Sequence, residues 1–218
     1  MTTSRVMAAA PTTNGTQRRR VGPPTARAVE REQEIVDTAA ELFHRKGYAA
    51  TTLQDIADAV GILKGSLYYY IDGKEDLLYR ITIAIHADAH ANLDAARATP
   101  GLAADRLRAL VEGHVRSFGR RLTWIRVFYT EYASLADERR HHIMQERRDY
   151  EAFVQDLLLE GRRDGSLASD LEPWIVGNAV LTMVNTVYLW YRPQRDVDID
   201  TVARTYADLV LRGLQPRP

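Results

Sequence analysis

The sequence predicts an all-α protein with two helical domains. Apolar residues recur at helical spacing through most of the 218 residues, and breaks that contain glycine or proline separate the helical stretches. No stretch alternates apolar and polar residues over the length of a strand, and no repeat of fixed period is present. About nine helices are expected, at approximately residues 28–46, 52–60, 64–70, 72–96, 102–119, 122–134, 137–163, 171–191 and 199–213.

Composition narrows the classes of function. The 29 Lys and Arg residues balance 29 Asp and Glu residues, so overall charge indicates no particular partner. The absence of cysteine excludes disulfides, cysteine nucleophiles and thiolate metal sites, and is typical of a reducing compartment. No apolar stretch reaches the roughly 20 residues that cross a bilayer. We therefore expect a soluble cytoplasmic protein that has no membrane partner.

Residues 1–27 predict a disordered basic arm. The segment lacks helical periodicity and contains five arginines and no acidic residue. Arginines of this kind can enter a DNA minor groove. A leader without function is the alternative interpretation.

Residues 28–75 are expected to form the N-terminal domain, a three-helix unit that contains a helix-turn-helix at residues 52–71. The pattern Thr52-x-x-Asp55 approximates a capping box and begins the second helix, which Gly61 ends. A third short helix follows after a tight turn. The second helix of such a pair can lie in the major groove of DNA.

Three consecutive tyrosines, Tyr68, Tyr69 and Tyr70, stand in this third helix. Neighbouring residues of a helix differ by about 100°, so the three rings cannot share one face. Leu67 and Ile71 are four residues apart and form the natural inward pair. Tyr69 is therefore expected at the exposed tip. The alternative is a generic helical hairpin whose core contains the tyrosines.

The run TTLQDIADAVGILKGSLYYYIDGKEDLL, residues 51–78, resembles the DNA-binding signature of TetR/AcrR-family transcriptional regulators. The Ile-Ala pair, the turn glycine, the Lys-Gly-Ser-Leu-Tyr segment and the Lys-Glu-x-Leu segment stand at the family's spacing. Two positions depart from the pattern, because Ile71 replaces an aromatic residue and Gly73 replaces a Ser or Asn cap. The resemblance implies a homodimeric regulator that binds an operator and a small effector, with no enzymatic activity and no cofactor.

The resemblance also implies which residues contact DNA. Glutamine can pair with adenine, lysine can donate to guanine, and an aromatic ring can contact a thymine methyl group. The first 78 residues contain ten basic and ten acidic residues, so affinity would depend on local placement. The implied phosphate contacts are Thr52, Tyr68, Tyr70 and Lys74. The residues implied at base edges or the adjacent backbone are Gln54, Lys64, Gly65, Ser66 and Tyr69.

Residues 76–218 are expected to form the effector-binding and dimerisation domain. Residues 174–191 are apolar nearly all round, and such a helix must be covered on both sides. As the resemblance implies, this helix and the last helix would form a four-helix bundle with their copies in a homodimer. The alternative is that both helices are covered within one chain. The last helix carries an apolar stripe of Val202, Tyr206, Leu209 and Val210.

Aromatic and polar residues of the middle helices predict a small-molecule pocket, although aromatic residues are also common in cores. The segment Glu131–Leu135 resembles the branch of the family that controls fatty-acid or steroid-side-chain catabolism and senses acyl-CoA thioesters. Arg121 or Arg126 would then bind the CoA phosphates. An unrelated aromatic or lipophilic effector is the alternative. The candidate ligand-binding residues are Trp124, Phe128, Tyr132, Tyr150, Phe153, Trp174, Asn178 and Asn185.

A metal site and an enzymatic function are alternatives to these interpretations. His86, His90 and Asp94 are spaced one helical turn apart, but they lack the glutamate of the zinc-protease motif, so solvated or pocket-lining histidines are preferred. No phosphate-binding glycine loop or nucleophile elbow is present. A helical interaction module that does not bind DNA is a further alternative.

Overall fold

The computed structural model describes residues 26–170, 172–193 and 197–216, and every regular element in these ranges is a helix. The basic arm expected at residues 1–27 lies outside the described residues, except that its last two residues begin the first helix. No helix in the described ranges is both long and apolar enough to cross a bilayer. The helices are α1 (Ala26–Lys46), α2 (Leu53–Ala59), α3 (Lys64–Leu67), α4 (Lys74–Ala98), α5 (Ala103–Arg120), α6 (Leu122–Glu131), α7 (Asp137–Asp164), α8 (Pro173–Asn185), α9 (Val187–Trp190) and α10 (Ile199–Leu214).

These helices confirm the predicted all-α class and its order of elements. The helix predicted at residues 171–191 is divided at Thr186, whose hydroxyl donates to the Met183 carbonyl 2.9 Å away. Hydroxyl groups that bond to a preceding carbonyl in this way tend to bend helices. The helix predicted at residues 122–134 ends as a 3₁₀ turn, Tyr132–Ser134. The second difference lies at a helix end, where the last turn is commonly tightened.

The third helix is shorter than predicted, because it ends at Leu67 rather than at Tyr70. The amide groups of Tyr69 and Tyr70 reach back only three residues: Tyr69 N donates to Ser66 O at 3.2 Å, and Tyr70 N donates to Leu67 O at 2.8 Å. Bonds of this 3₁₀ type tighten the chain. The tyrosines therefore occupy a turn that follows α3.

Caps and glycines set the ends of the other N-terminal helices. The predicted capping box is present, since the Thr52 side chain accepts from Asp55 N and the Asp55 carboxylate accepts from Thr52 N. Gly61 ends this helix with a φ of 69°, which glycine adopts without strain. At α4, Gly73 stands at the N-cap and makes no side-chain cap. Instead, Asp76 accepts from the Asp72 amide at 3.3 Å.

The described residues form two apolar cores. The N-terminal core lies between α1, α2, α3 and the first turns of α4, and Trp124 of α6 packs against it. The C-terminal core lies between the second half of α4 and helices α5, α7, α8 and α10. Helix α4 contributes Leu77 to the first core and Leu93 to the second. It therefore connects the helix-turn-helix mechanically to the larger domain.

The last helix packs along α5 of its own chain. Val202 and Val210, which were predicted to face a second copy, are buried in this intrachain contact. Leu209 is 58% exposed. The alternative of coverage within one chain is therefore correct for much of the α10 stripe, because α5 offers an apolar face of its own.

Candidate DNA-binding surface and effector cavity

The three tyrosines are divided as helical rotation predicts. Leu67 and Ile71 are buried in the N-terminal core, and Tyr69 is 88% exposed. Tyr68 is also exposed, whereas Tyr70 is half-buried and packs against the core. Tyr69 is therefore presented to solvent beside α3, while the buried Leu67 and Ile71 anchor the turn.

Most other residues implied at the DNA surface are exposed at the beginning of α2 or α3. Lys64 and Gly65 are exposed at the first turn of α3, and Ser66 is half-buried. Gln54 is exposed on α2, where its amide donates to Asp58 at 2.7 Å. The Thr52 hydroxyl donates to the Asp55 carboxylate at 2.7 Å. A DNA contact by Thr52 or Gln54 would exchange these intrahelical partners.

The ammonium group of Lys74 is held by backbone carbonyl groups of the N-terminal domain. Its ammonium donates to the carbonyl oxygens of Tyr48 and Thr51 at 2.7 and 3.0 Å, and to that of Ala49 at 3.3 Å. It also lies 4.3 Å from the centre of the Tyr48 ring. An ammonium has three N–H donors, so these carbonyl groups satisfy it. Lys74 thus ties α4 to the loop before Thr52, and a phosphate would have to replace one of these bonds.

A cavity of about 90 Å³ lies between α4, α5, α6, α7 and α8. Three of the eight predicted ligand-binding residues line it: Phe128, Tyr150 and Asn185. Its remaining wall includes His86 and His114, which are not among the eight candidate ligand-binding residues, although a solvated or pocket-lining role was expected for His86. His86 and His114 lie on the inward faces of α4 and α5, and this position is the sequence signal that could have identified them.

The other five predicted ligand-binding residues lie outside this cavity. Trp124 and Tyr132 pack against the N-terminal core. Phe153 lies under the Arg97 guanidinium at 4.7 Å. Trp174 is 63% exposed, and Asn178 donates to the Trp174 carbonyl at 2.7 Å.

A chain of hydrogen bonds forms one wall of the cavity. Asn185 Oδ1 lies 3.0 Å from His114 Nε2 and can only accept, so Nε2 carries the proton. His114 Nδ1 therefore accepts from the Tyr150 hydroxyl at 3.0 Å, and that oxygen accepts from the Asn92 amide at 3.1 Å. Burial lowers the pKa of His114 to about 4, so the imidazole is neutral. The wall is polar, uncharged and internally satisfied.

Replacing Tyr150 with phenylalanine should destabilise the protein by about 1–3 kcal/mol, because His114 Nδ1 loses its donor and stays buried. Urea unfolding followed by circular dichroism measures this change. Tyr68→Phe removes an exposed hydroxyl and serves as the control, with an expected change within about 0.5 kcal/mol. Equal stability of the two variants would contradict the proposed arrangement of the wall.

His86 is the second buried histidine at the cavity. Burial lowers its pKa to about 4, and its ring meets the Phe128 ring edge-on with 5.6 Å between centres. Its Nε2 is buried and has no hydrogen-bond partner among the described residues. His90 contacts the carboxylate of Glu146, which also lies 3.6 Å from His142.

The metal alternative receives no support from the geometry. Within the described ranges, no three His, Asp or Glu side chains are placed to hold a metal ion. Asp94, the third residue of that motif, pairs with Arg97 at 3.0 Å.

The two arginines considered for CoA phosphates have internal partners. Arg121 donates to Asp88 at 2.8 Å and stacks 4.6 Å from the centre of the Trp124 ring. Arg126 donates to the carbonyl oxygens of Tyr188 and Tyr191 at 3.3 and 2.9 Å. Arg147 instead lies at the cavity, where it is exposed and 3.9 Å from Glu151.

An apolar surface remains exposed on α8, α9 and α10. Removing apolar surface from water is favourable by about 25 cal/mol per Å² of buried area. Tyr206 of α10 stacks against Trp190 of α9 with 6.3 Å between ring centres, so these two helices adjoin. The exposed members of this surface are Trp174, Ile175, Leu189, Trp190 and Leu209.

Comparisons with known proteins agree with this architecture. Residues 35–81 match the family model for bacterial regulatory proteins of the tetR family, and residues 100–214 match the tetracyclin repressor-like C-terminal domain. The HTH-type transcriptional repressor KstR2 of Rhodococcus jostii (strain RHA1) is 32% identical over 199 residues, which cover 84% of this chain and 91% of that protein.

Two solved structures are similar over most of their length. The ketosteroid transcriptional regulator KstR2 of Mycobacterium tuberculosis has a TM-score of 0.81 and 25% identity, covering 86% of this chain and 96% of that chain. AibR, solved with isovaleryl coenzyme A and operator DNA, has a TM-score of 0.72 and 26% identity, covering 84% and 97%. The KstR2 matches are consistent with the resemblance to the steroid-catabolism branch. The chain therefore belongs to the TetR family of transcriptional regulators.

Proposed function

We propose that the protein is a homodimeric repressor that binds a palindromic operator and is released by a small effector, in the cytoplasm. The observation that carries this proposal is the exposed Tyr69 side chain beside α3, held by the buried Leu67 and Ile71. An exposed aromatic ring is expensive to hydrate and is suited to contact with the grooves of DNA. Repression is the activity named for the KstR2 relative.

The implied DNA contacts divide into two groups. Tyr69, Lys64 and Gly65 are exposed and would meet base edges or the adjacent backbone. Tyr68 and Thr52 would contact phosphates, which position the protein without reading sequence. Gln54 and Ser66 remain in the base-side group, and Tyr70 and Lys74 in the phosphate group, with Lys74 also supporting the loop before α2.

Homodimerisation is supported by the exposed apolar surface of α8, α9 and α10. Covering this surface with a second copy removes Trp190 and Leu209 from water. A two-fold dimer presents two α3 helices to half-sites that lie about 34 Å apart or a multiple of it. Dimerisation and operator recognition are therefore parts of one mechanism.

The effector would occupy the cavity between α4 and α8. An acyl-CoA thioester is supported by the AibR relative, which was solved with isovaleryl coenzyme A. Because α4 belongs to both cores, an effector that favours a different position of α4 would change the spacing of the two recognition helices. The effector shifts this equilibrium only by its difference in affinity for the two states.

An effector that lacks CoA is the second candidate. Arg121 and Arg126 are held by internal partners, and Arg147 at the cavity lies 3.9 Å from the Glu151 carboxylate. These contacts favour a neutral aromatic or lipophilic compound over a polyanion. Displacement of operator DNA by acyl-CoAs, or its absence, distinguishes the two candidates.

Replacing Tyr69 with alanine should weaken operator binding by about tenfold or more, since one good groove contact contributes roughly 1–3 kcal/mol. A gel shift with the DNA upstream of the protein's own gene measures this effect. Met144→Ala, an exposed position on α7, is the matched control and should bind as the parent does. A missing specific shift, or one that Tyr69→Ala leaves unchanged, would count against the proposal.

A further inference from the structure

Leu63 is an apolar side chain that the folded chain leaves in water. It is 80% exposed, and among the large apolar side chains that the structure describes only Tyr69, at 88%, is more exposed. The preceding residue, Ile62, packs against the N-terminal core, so the chain turns Ile62 inward and Leu63 outward. Single exposed leucines are common in proteins. The place of Leu63 in the helix-turn-helix therefore has to explain its exposure.

Leu63 stands at the N-cap of α3, where leucine is among the least favoured residues. Its backbone is extended, with a φ of −68° and a ψ of 141°, and its carbonyl accepts from Ser66 N at 2.8 Å. Serine, threonine, aspartate and asparagine are favoured at such a position, because a side-chain oxygen can accept from the first amides of the helix. Leu63 makes no side-chain cap and is not part of the N-terminal core. It therefore stabilises neither the helix end nor the core of the free protein.

The N-cap of α5 shows how another leucine cap is compensated in this fold. Leu102 makes no side-chain cap either, but the Asp164 carboxylate accepts from the Ala103 amide at 2.8 Å. Leu102 is also less exposed, at 51%. Among the described residues, no side chain has the corresponding role at α3. The leucine at the N-cap of α3 is thus the one whose cost the free chain does not offset.

The first residues of a recognition helix meet base edges when the helix lies in the major groove. The neighbouring Lys64 and Gly65 are exposed, so the surface around Leu63 is open. Thymine presents a methyl group in this groove, and that methyl is an apolar partner for a side chain. Leucine offers no acceptor to the cytosine amino group and no donor to a purine N7, so these groups would lose their hydrogen bonds to water against it.

We propose that Leu63 packs against the 5-methyl group of a thymine in each half-site of the operator, and thereby selects thymine at that position. The inference rests on the proposed operator binding. It adds a base-reading residue that lies outside the set implied by the family resemblance. The contact removes the exposed leucine from water, which offsets in the complex what the residue costs the free chain.

The test uses operator duplexes in which one thymidine of each half-site is replaced by deoxyuridine, a change that removes only the methyl group. Burial of one methyl group corresponds to about fourfold in affinity, so the two half-sites together should give about tenfold. Gel shifts with the parent should show this loss at one thymine position. Leu63→Ser should not respond to the change at that position, whereas Leu63→Met keeps an apolar side chain and should respond as the parent does.

The same serine variant separates recognition from folding, because serine is a favoured N-cap. Leu63→Ser should keep or raise the midpoint of urea unfolding while it lowers affinity for the unmodified operator about tenfold. Leu102→Ser makes the same change at the N-cap of α5 and should leave operator affinity unchanged. Lower stability of Leu63→Ser, together with weaker binding to every DNA sequence, overturns the inference, because Leu63 would then support the fold.

The parent protein tests the proposed function separately. A parent that forms no specific complex with the DNA upstream of its own gene overturns operator binding, and the inference falls with it. A parent that binds specifically, but whose response to deoxyuridine is the same at every position in Leu63→Ser, overturns the inference alone.

Discussion

Replacing Leu209 with glutamate is expected to convert the dimer to a monomer and to lower operator affinity by about 100-fold or more. Leu209 is 58% exposed within the apolar surface of α8, α9 and α10. A carboxylate buried there by a second copy would lack a partner, and an unpaired charge in an interface is strongly unfavourable. A monomer engages one half-site at a time and loses the effective concentration that joins the two. Sedimentation equilibrium and gel shift measure the two effects.

Met144→Glu introduces the same charge change at an exposed position on α7 and is the control. It should remain dimeric and bind the operator as the parent does. Circular dichroism should show the helical content of the parent in both variants, because neither side chain belongs to the described cores. A Leu209→Glu protein that stays dimeric would place the homodimer interface elsewhere.

Acidification from pH 7.5 to pH 5 is expected to destabilise the fold through its buried histidines. The pKa of His114 is about 4 in the folded protein, against 6.5 for an ordinary histidine. Between these values the unfolded chain binds more protons than the folded one, so stability falls as the pH falls. His114 accounts for about 2 kcal/mol of this loss at pH 5, and His86, whose pKa is also about 4, for a similar amount.

Urea unfolding at the two pH values measures this dependence. His114→Gln should reduce the difference between pH 7.5 and pH 5 by about 2 kcal/mol, because the titrating group is gone. His141→Gln, exposed on α7, should leave the difference unchanged. The His114 imidazole resonance of the folded parent should also not titrate above about pH 5. A titration midpoint near that of a free histidine would contradict the buried, neutral assignment.

Local patterns of the sequence anticipated the N-terminal domain well. The Thr52 and Asp55 capping box, the end of α2 at Gly61 and the inward pair of Leu67 and Ile71 all depend on residues within four positions of one another. The extent of α3 was the exception. Its end at Leu67 reflects a tightening of the backbone that no side-chain pattern encodes.

The residues that line the cavity were predicted less well than the N-terminal domain. Trp124 and Phe128 are four residues apart on α6, yet the first faces the N-terminal core and the second faces the cavity. Both are buried, so periodicity gives them the same signal. From the sequence, Arg121 and Arg126 were expected to be available for CoA phosphates. In the structure, Arg121 donates to the Asp88 carboxylate and Arg126 donates to the Tyr191 carbonyl.

The sequence by itself determined the helical class, the order of the helices, the helix-turn-helix and the exposed position of Tyr69. These features follow from the period of a helix and from contacts between near neighbours. Only the tertiary structure decided which side chains enclose the cavity and which apolar faces remain uncovered. The wall bond between His114 and Asn185 joins residues 71 positions apart, and α5 covers the Val202 face of α10. Contacts over such separations depend on how whole helices pack. The apolar period of one helix shows which of its faces is buried, but not which other helix covers that face.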